Sequence, residues 1–253
     1  MPPEHAMPGI VTSARLPDMT ISHSMTTGHS SLSHAMRYQD QLFEQRENAL
    51  LDAARQLFAE QPWDRVTIAE VAIAAGIGKG TVYKHFPSKE ALYARLVLDL
   101  SRANLLELRQ LHAASPAQDA MRRVIRRAFE QMLANPIQAQ LCLHCDRPEF
   151  QERLETPYRQ QFLDIEHEYQ GFFADMLSVA LDQQSLSQAD CQNLLWGVEA
   201  CVNGVMARIA SGGFAHWAEP IALDEYFARV TDFIIAGLRT QAAELLAQPH
   251  RHE

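Results

Sequence analysis

The chain has 253 residues, 47% of them hydrophobic and 21% charged, which suits a small module joined to a larger one and excludes disordered, collagenous and membrane-embedded classes. Four cysteines are too few for a disulfide framework, and neither an apolar run of spanning length nor a basic-then-apolar start is present, so the expectation is a cytoplasmic protein without membrane contact. The formal net charge of −9 argues, as a sum, against a polyanionic partner.

Residues 1–40, rich in Ser, Thr, His, Met and Pro without periodicity, read as a disordered N-terminal arm. Its histidines, His5, His23, His29 and His34, are too irregularly spaced to suggest a metal site. From Gln41 onward Leu50, Ala54, Leu57 and Phe58 recur at helical spacing, and Gln61-Pro62-Trp63 ends that helix. Thr67-Ile-Ala-Glu70 is a capping box that starts a short helix at about Ile68. Gly76 is placed to end it in the left-handed conformation. Gly78 to His85 leaves room for about two helical turns before Phe86-Pro87, and Ser88 then caps a long helix that carries Leu92, Leu96 and Leu100.

Beyond Ala113, Ser115-Pro116 opens a helix to about Ala134 and Asn135-Pro136 closes it. Further helices are expected over 137–146, 158–184, 188–211 and 224–247. No segment alternates in the manner of a strand. The fold class is all-α.

The two short helices around Gly76, with Ala72 four positions earlier, have the form of a helix-turn-helix. Val71, Ile77, Val82 and Phe86 are expected to point inward. Lys79, Gly80, Thr81, Tyr83, Lys84 and His85 are then left facing outward. All three lysines of the chain, Lys79, Lys84 and Lys89, fall between Ile77 and Lys89, a stretch without an acidic residue. A helix of this size fits a DNA major groove, where Lys84 can donate to a base or phosphate, Thr81 and Tyr83 can meet thymine methyls or phosphates, and His85 can donate to the backbone. Glycine at 78 and 80 permits close approach to a phosphate. Lys89, at a helix start, and Arg46 and Thr67, on flanking helices, are further phosphate contacts.

The stretch from Glu47 to Leu100 resembles the DNA-binding domain of the TetR (tetracycline-repressor-like) family. The matching segments are Ala53-Ala-Arg-Gln-Leu-Phe58, Thr67-Ile-Ala-Glu-Val-Ala72, Ala75-Gly-Ile-Gly-Lys-Gly-Thr-Val-Tyr-Lys-His-Phe86 and Pro87-Ser-Lys-Glu-Ala-Leu92. Pro62-Trp63-Asp64 departs from the glycine-bearing turn common in the family, and Lys84 stands where relatives often carry an aromatic or polar residue. The resemblance implies a three-helix DNA-binding domain over 41–100 and a helical effector-binding and dimerisation domain over 101–248. It further implies a homodimeric transcriptional regulator, not an enzyme, with repression as the family habit, and a small-molecule effector that releases a palindromic operator.

In the C-terminal part, Leu194, Leu195, Val198, Val202, Val205 and Ile209 form one apolar face, and Phe227, Val230, Phe233, Ile234 and Leu238 another. These faces are expected to meet a second copy in a four-helix bundle. Candidate effector-lining residues are Phe129, Met132, Phe172, Phe173, Met176, Trp196, Glu199, Asn203 and Met206. Glu199 interrupts an apolar helix and is placed either to anchor a cationic or hydroxylated ligand or to face water. Cys142-Leu-His-Cys145 has the spacing of a zinc or redox pair, but Cys191 and Cys201 lie far along the chain and no second close pair exists. Buried cysteines acting as small apolar residues are the simpler reading, with no metal and no cofactor. Neither a nucleophile-base pair nor a metal-binding helix motif supports a helical enzyme. A pure interaction protein that uses its helices for scaffolding is the third reading, which retention on DNA at low salt but not at high salt separates from a regulator.

Overall fold

The computed structural model describes residues 28–180, 187–216 and 222–247. Two compact units divide the chain, Met1–Gln45 and Arg46–Glu253. The described residues form ten α-helices and a single 3₁₀ turn, with no strand: α1 (Gly28–Glu60), α2 (Ile68–Ala74), α3 (Lys79–His85), α4 (Lys89–Ala113), α5 (Ala117–Ala134), α6 (Pro136–Cys145), α7 (Pro148–Gln151), α8 (Thr156–Ala180), α9 (Gln188–Ala210), the turn Gly213–His216, and α10 (Leu223–Ala247).

Helix α1 starts at Gly28, well inside the segment expected to be an unstructured arm. No proline lies between Pro17 and Pro62, so the amphipathic helix that nucleates around Leu50 and Ala54 extends N-terminally at little cost per residue. The four arm histidines are divided: His5 and His23 lie outside the described residues, whereas His29 and His34 fall on α1. Two short elements escaped the periodicity, α7 and the 3₁₀ turn, because four residues are too few to show a repeat.

Caps set the other boundaries. Thr67 accepts from the Glu70 amide while the Glu70 carboxylate accepts from the Thr67 amide, the reciprocal box expected at α2. Ser88 accepts from the Ala91 amide at the start of α4. Asn135 ends α5 and caps α6, its side chain accepting from the Gln138 amide ahead of Pro136 in the first turn. Gly76, after α2, has φ +65°, the left-handed conformation that lets the Ile77 amide reach back to the Ala72 carbonyl.

Two clusters of buried side chains fill the second unit. The first gathers Leu50, Ala54, Phe58, Val71, Ala72, Val82, Phe86, Leu92 and Leu96, and also Leu141, Cys145, Phe150 and Leu154 from the α6–α8 region. The second runs from Leu98, Leu105 and Leu108 through Val124, Phe129, Met176 and Leu194 to Phe227 and Leu238. The seam between them falls inside α4, at Val97 and Leu98, so the expected domain division at residue 100 crosses a continuous helix. The helix-turn-helix therefore does not complete its core alone. It borrows the face of α6 and the segment after it.

Faces expected to pair with a second copy are instead this chain's own core. Leu194, Val198, Val205, Ile209, Phe227, Ile234 and Leu238 are buried within the second cluster, with Leu195, Val202 and Val230 packed against it. The reason is geometric: α9 packs on α6 and α8, and α10 on α5, so the most apolar stripe of each helix is consumed inside the chain. Of the residues expected there, Phe233 alone is exposed.

Gly76→Ala should keep the helical fold but destabilise it by about 1–2 kcal/mol, because a Cβ opposes the left-handed backbone. A thermal melt followed by circular dichroism checks this, and an unchanged midpoint would mean that the turn tolerates a side chain.

Candidate nucleic-acid interface

Helix α3 has two faces. Val82 and Phe86 are fully buried, and His85 joins them, which is the i, i+3, i+4 pattern of an inward stripe. Lys79, Gly80, Tyr83 and Lys84 are exposed, with Thr81 half-buried beside them. Tyr83 leaves 46% of its surface accessible, large for an aromatic residue on a well-packed helix. The donors Lys79, Tyr83 and Lys84 thus lie together on the outward side, as expected.

His85 is the correction. Its side chain is only 2% exposed, and Nδ1 lies 3.7 Å from Glu47 Oε2, so it faces α1 and offers nothing to a phosphate. Register explains the error: His85 precedes the buried Phe86 and follows Val82 by three, which turns it inward. Glu47 is a shared partner, since its other carboxylate oxygen lies 2.6 Å from Arg95 Nη1 on α4. Arg95 Nε in turn donates to Asp99 at 2.9 Å, and Arg55 Nη2 of α1 lies 3.8 Å from the same carboxylate. The result is a polar seam of α1, α3 and α4 residues that fixes the rotation of α3 about its own axis.

Among the flanking residues, Arg46 is exposed on α1. Thr67 is committed to its cap: the hydroxyl donates to Glu70 Oε2 at 2.7 Å and the backbone N–H donates to the same oxygen at 2.7 Å, so Thr67 has no spare proton for a phosphate. Those two bonds, the hydroxyl's foremost, hold the Glu70 carboxyl below its ordinary pKa. Lys89 donates to the Asp64 carbonyl at 2.7 Å and lies 5.2 Å from the centre of the Tyr93 ring. Partial burial, the largest influence, lowers its pKa. An ammonium has three protons, so this anchor leaves two to reach outward. Sequence reasoning passed over Ile73, 80% exposed on α2. The buried positions Ile68, Val71 and Ala72 already put 73 on the opposite face, a signal that was available.

The effector candidates separate. Met176 and Phe173 help line a small apolar cleft, together with Met121, Ile125, Leu195 and Val198. Phe129 stacks on Phe227 at 5.5 Å, and Phe172 meets His112 edge-on at 5.8 Å. Met132 and Met206 pack partly buried against the second cluster, and Asn203 is half-buried. Trp196, 68% exposed, and Glu199, also exposed, sit on the outer side of α9 and do not line that cleft. Cys142 and Cys145 lie in the last turns of α6, Cys145 wholly inside the first core cluster. Burial pushes the Cys142 thiol up to about 11 and the Cys145 thiol up as well, which suppresses the thiolate that redox exchange or metal ligation needs.

Residues 50–96 match the family model described as bacterial regulatory proteins, tetR family. The chain is similar to the HTH-type transcriptional regulator AcrR of Shigella flexneri, 37% identical over 59 residues that make up 23% of this chain and 27% of that one. It is also similar to the HTH-type transcriptional repressor LfrR of Mycolicibacterium smegmatis, 35% identical over 85 residues, 32% of this chain and 43% of that one. These matches thus span less than half the length of either relative. The fold is shared more widely: the crystal structure of the regulator FadR of Bacillus subtilis, in complex with stearoyl-CoA, superposes with a TM-score of 0.55 at 18% identity over 75% of this chain and 97% of that one.

His85→Ala should lower stability by about 1–3 kcal/mol, whereas Lys84→Ala should stay within about 0.5 kcal/mol of wild type. Equal melting curves for the two would contradict the burial of His85. The Glu70 carboxyl has a depressed pKa in the folded state, so its contribution is present at neutral pH and lost as the pH falls through that value. The melting-temperature gap between wild type and Glu70→Gln should accordingly close in acid, and a gap independent of pH would rule out an ionised cap.

Proposed function

We propose that this chain, whose residues 50–96 match the model of the tetR family of bacterial regulatory proteins, is a cytoplasmic transcriptional regulator of that family, a repressor by family habit, that binds a two-fold DNA operator as a homodimer and leaves it when a small apolar effector binds. The observation that carries this reading is the outward face of α3, where Lys79, Tyr83 and Lys84 are exposed on a helix whose other face is locked in a core. Such a helix enters a major groove with its donors toward base edges and phosphates. The relatives are consistent with it, LfrR being a transcriptional repressor. Among the described residues no helix is long and apolar enough to cross a membrane.

Dimerisation rests on the outer face of α9 and α10. Trp196 and Phe233 are 68% and 71% exposed. Gly197 and Gly204 on α9 and Gly237 on α10 each lie inside a helix with nothing within 4 Å of a Cβ built onto them. Glycine inside a helix costs about 1 kcal/mol against alanine, and packing within one chain gives no reason for that cost. A second copy brought close along this face supplies one, with Trp196 and Phe233 as its anchors. Two-fold symmetry then sets the recognition helices about 34 Å apart, or a multiple of it.

The cleft beside Met176 suits an apolar effector, since every residue lining it is apolar. FadR of Bacillus subtilis, of the same fold, was crystallised with stearoyl-CoA. The enclosed space in the cleft of this chain is only about 10 Å³, far below the usual size of ligand pockets, roughly 300–1,000 Å³. An effector must therefore widen it, and by favouring the widened state it shifts the spacing of the two recognition helices.

Selection of bound duplexes from random DNA should recover a near-palindromic sequence. Lys79→Ala and Lys84→Ala should each reduce the slope of log K against log salt by about 1. Recovery of no preferred sequence, or slopes that do not move, would defeat the DNA-binding reading. Trp196→Glu should convert the dimer to monomer in sedimentation velocity, and a dimer that persists would place the interface elsewhere.

A further inference from the structure

The turn that departs from the family pattern, Pro62-Trp63-Asp64, is joined by a chain of side-chain hydrogen bonds to the far end of α9. Trp63 Nε1 donates to Gln140 Oε1 at 3.2 Å. Gln140 Nε2 donates to the carbonyl of Ala210 at 2.7 Å. Ala210 is the last residue of α9, where carbonyls have no partner within the helix, and Gly212, at φ +65°, turns the chain away just beyond it. A single amide on α6 thus satisfies a helix end on one side and an indole N–H on the other.

The DNA-binding side of this chain is equally fixed. The Trp63 carbonyl accepts from Tyr93 Oη at 2.8 Å, and its ring meets Tyr93 edge-on at 5.3 Å and His144 at 4.7 Å. The neighbouring Asp64 carbonyl holds Lys89. The turn therefore cannot follow α9 without pulling on the head of α4 through Lys89 and Tyr93. At the other end, α9 supplies Leu195 and Val198 to the apolar cleft and Trp196 to the exposed face.

We propose that Gln140 is a coupling residue: through Trp63 on one side and the Ala210 carbonyl on the other, it transmits the position of the α9 C-terminus to the helix-turn-helix, so that operator binding and the placement of α9 are linked. This rests on the DNA-binding reading above. Displacing the end of α9 relative to α6 either drags the Trp63 turn along or breaks one of two half-buried hydrogen bonds, so the two positions are not independent. Linkage is reciprocal, and duplex binding must therefore register at the end of α9.

The experiment uses the full chain and a duplex that the wild-type protein selects from random DNA, with hydrogen-deuterium exchange read over residues 207–212. Duplex binding is expected to slow exchange there by about fivefold, the low end of ordinary coupling. Two variants should abolish that response: Gln140→Glu, which keeps an acceptor for Trp63 and loses the donor to Ala210 with a modest drop in melting temperature, and Trp63→Phe, which keeps an aromatic ring, loses the N–H and melts near wild type. A duplex that binds without changing exchange at 207–212, or a change that persists in both variants, overturns the coupling alone. A wild-type protein that selects no duplex overturns the regulator reading, and the coupling with it.

Discussion

The burial of one face of α3 is the constraint on which the rest of the molecule depends. A seven-residue helix has too few internal hydrogen bonds to be stable alone. Its conformation and rotation come from Val82, His85 and Phe86 being packed inward, with Glu47 and Arg95 closing the polar gap beside His85. Rotating α3 by one residue would bring Tyr83 into the core and His85 out of it, or, in the other sense, Lys84 in and Phe86 out. The outward set of Lys79, Tyr83 and Lys84 is thus the complement of a packing decision, and the interface chemistry follows from the core.

That core is not local. Leu141, Cys145, Phe150 and Leu154 complete it from the C-terminal half, so the helix-turn-helix and the helices beneath it share a hydrophobic seam. Contacts of this kind carry mechanical influence in both directions, since close-packed interiors do not deform continuously. The same economy governs α9, whose inner stripe builds the core and whose outer stripe, with Trp196, stays exposed.

Local chemistry made the helix-turn-helix legible in the sequence. The Thr67–Glu70 box, the left-handed Gly76, the Ser88 cap and the position of Phe86 before Pro87 each act over a few residues, and each stands where expected. His85 was misplaced because outward donors were read by residue type where helical register decides. The C-terminal faces of α9 and α10 were misplaced for another reason: an apolar stripe shows that something will be buried, without showing whether its partner lies in the same chain. Trp63, Gln140 and Ala210 are separated by 77 and 70 residues, a juxtaposition that tertiary folding alone creates and that no spacing in the sequence announces.

Because the chain holds only three lysines, all on α3 or at the head of α4, one footprint tests the central claim directly. Lysine acetylation, quantified by mass spectrometry with and without a selected duplex, should show Lys79 and Lys84 losing reactivity in the complex, while Lys89, already anchored on the Asp64 carbonyl, changes less. If Lys79 and Lys84 stay fully reactive while the duplex is bound, α3 is not the element in the groove.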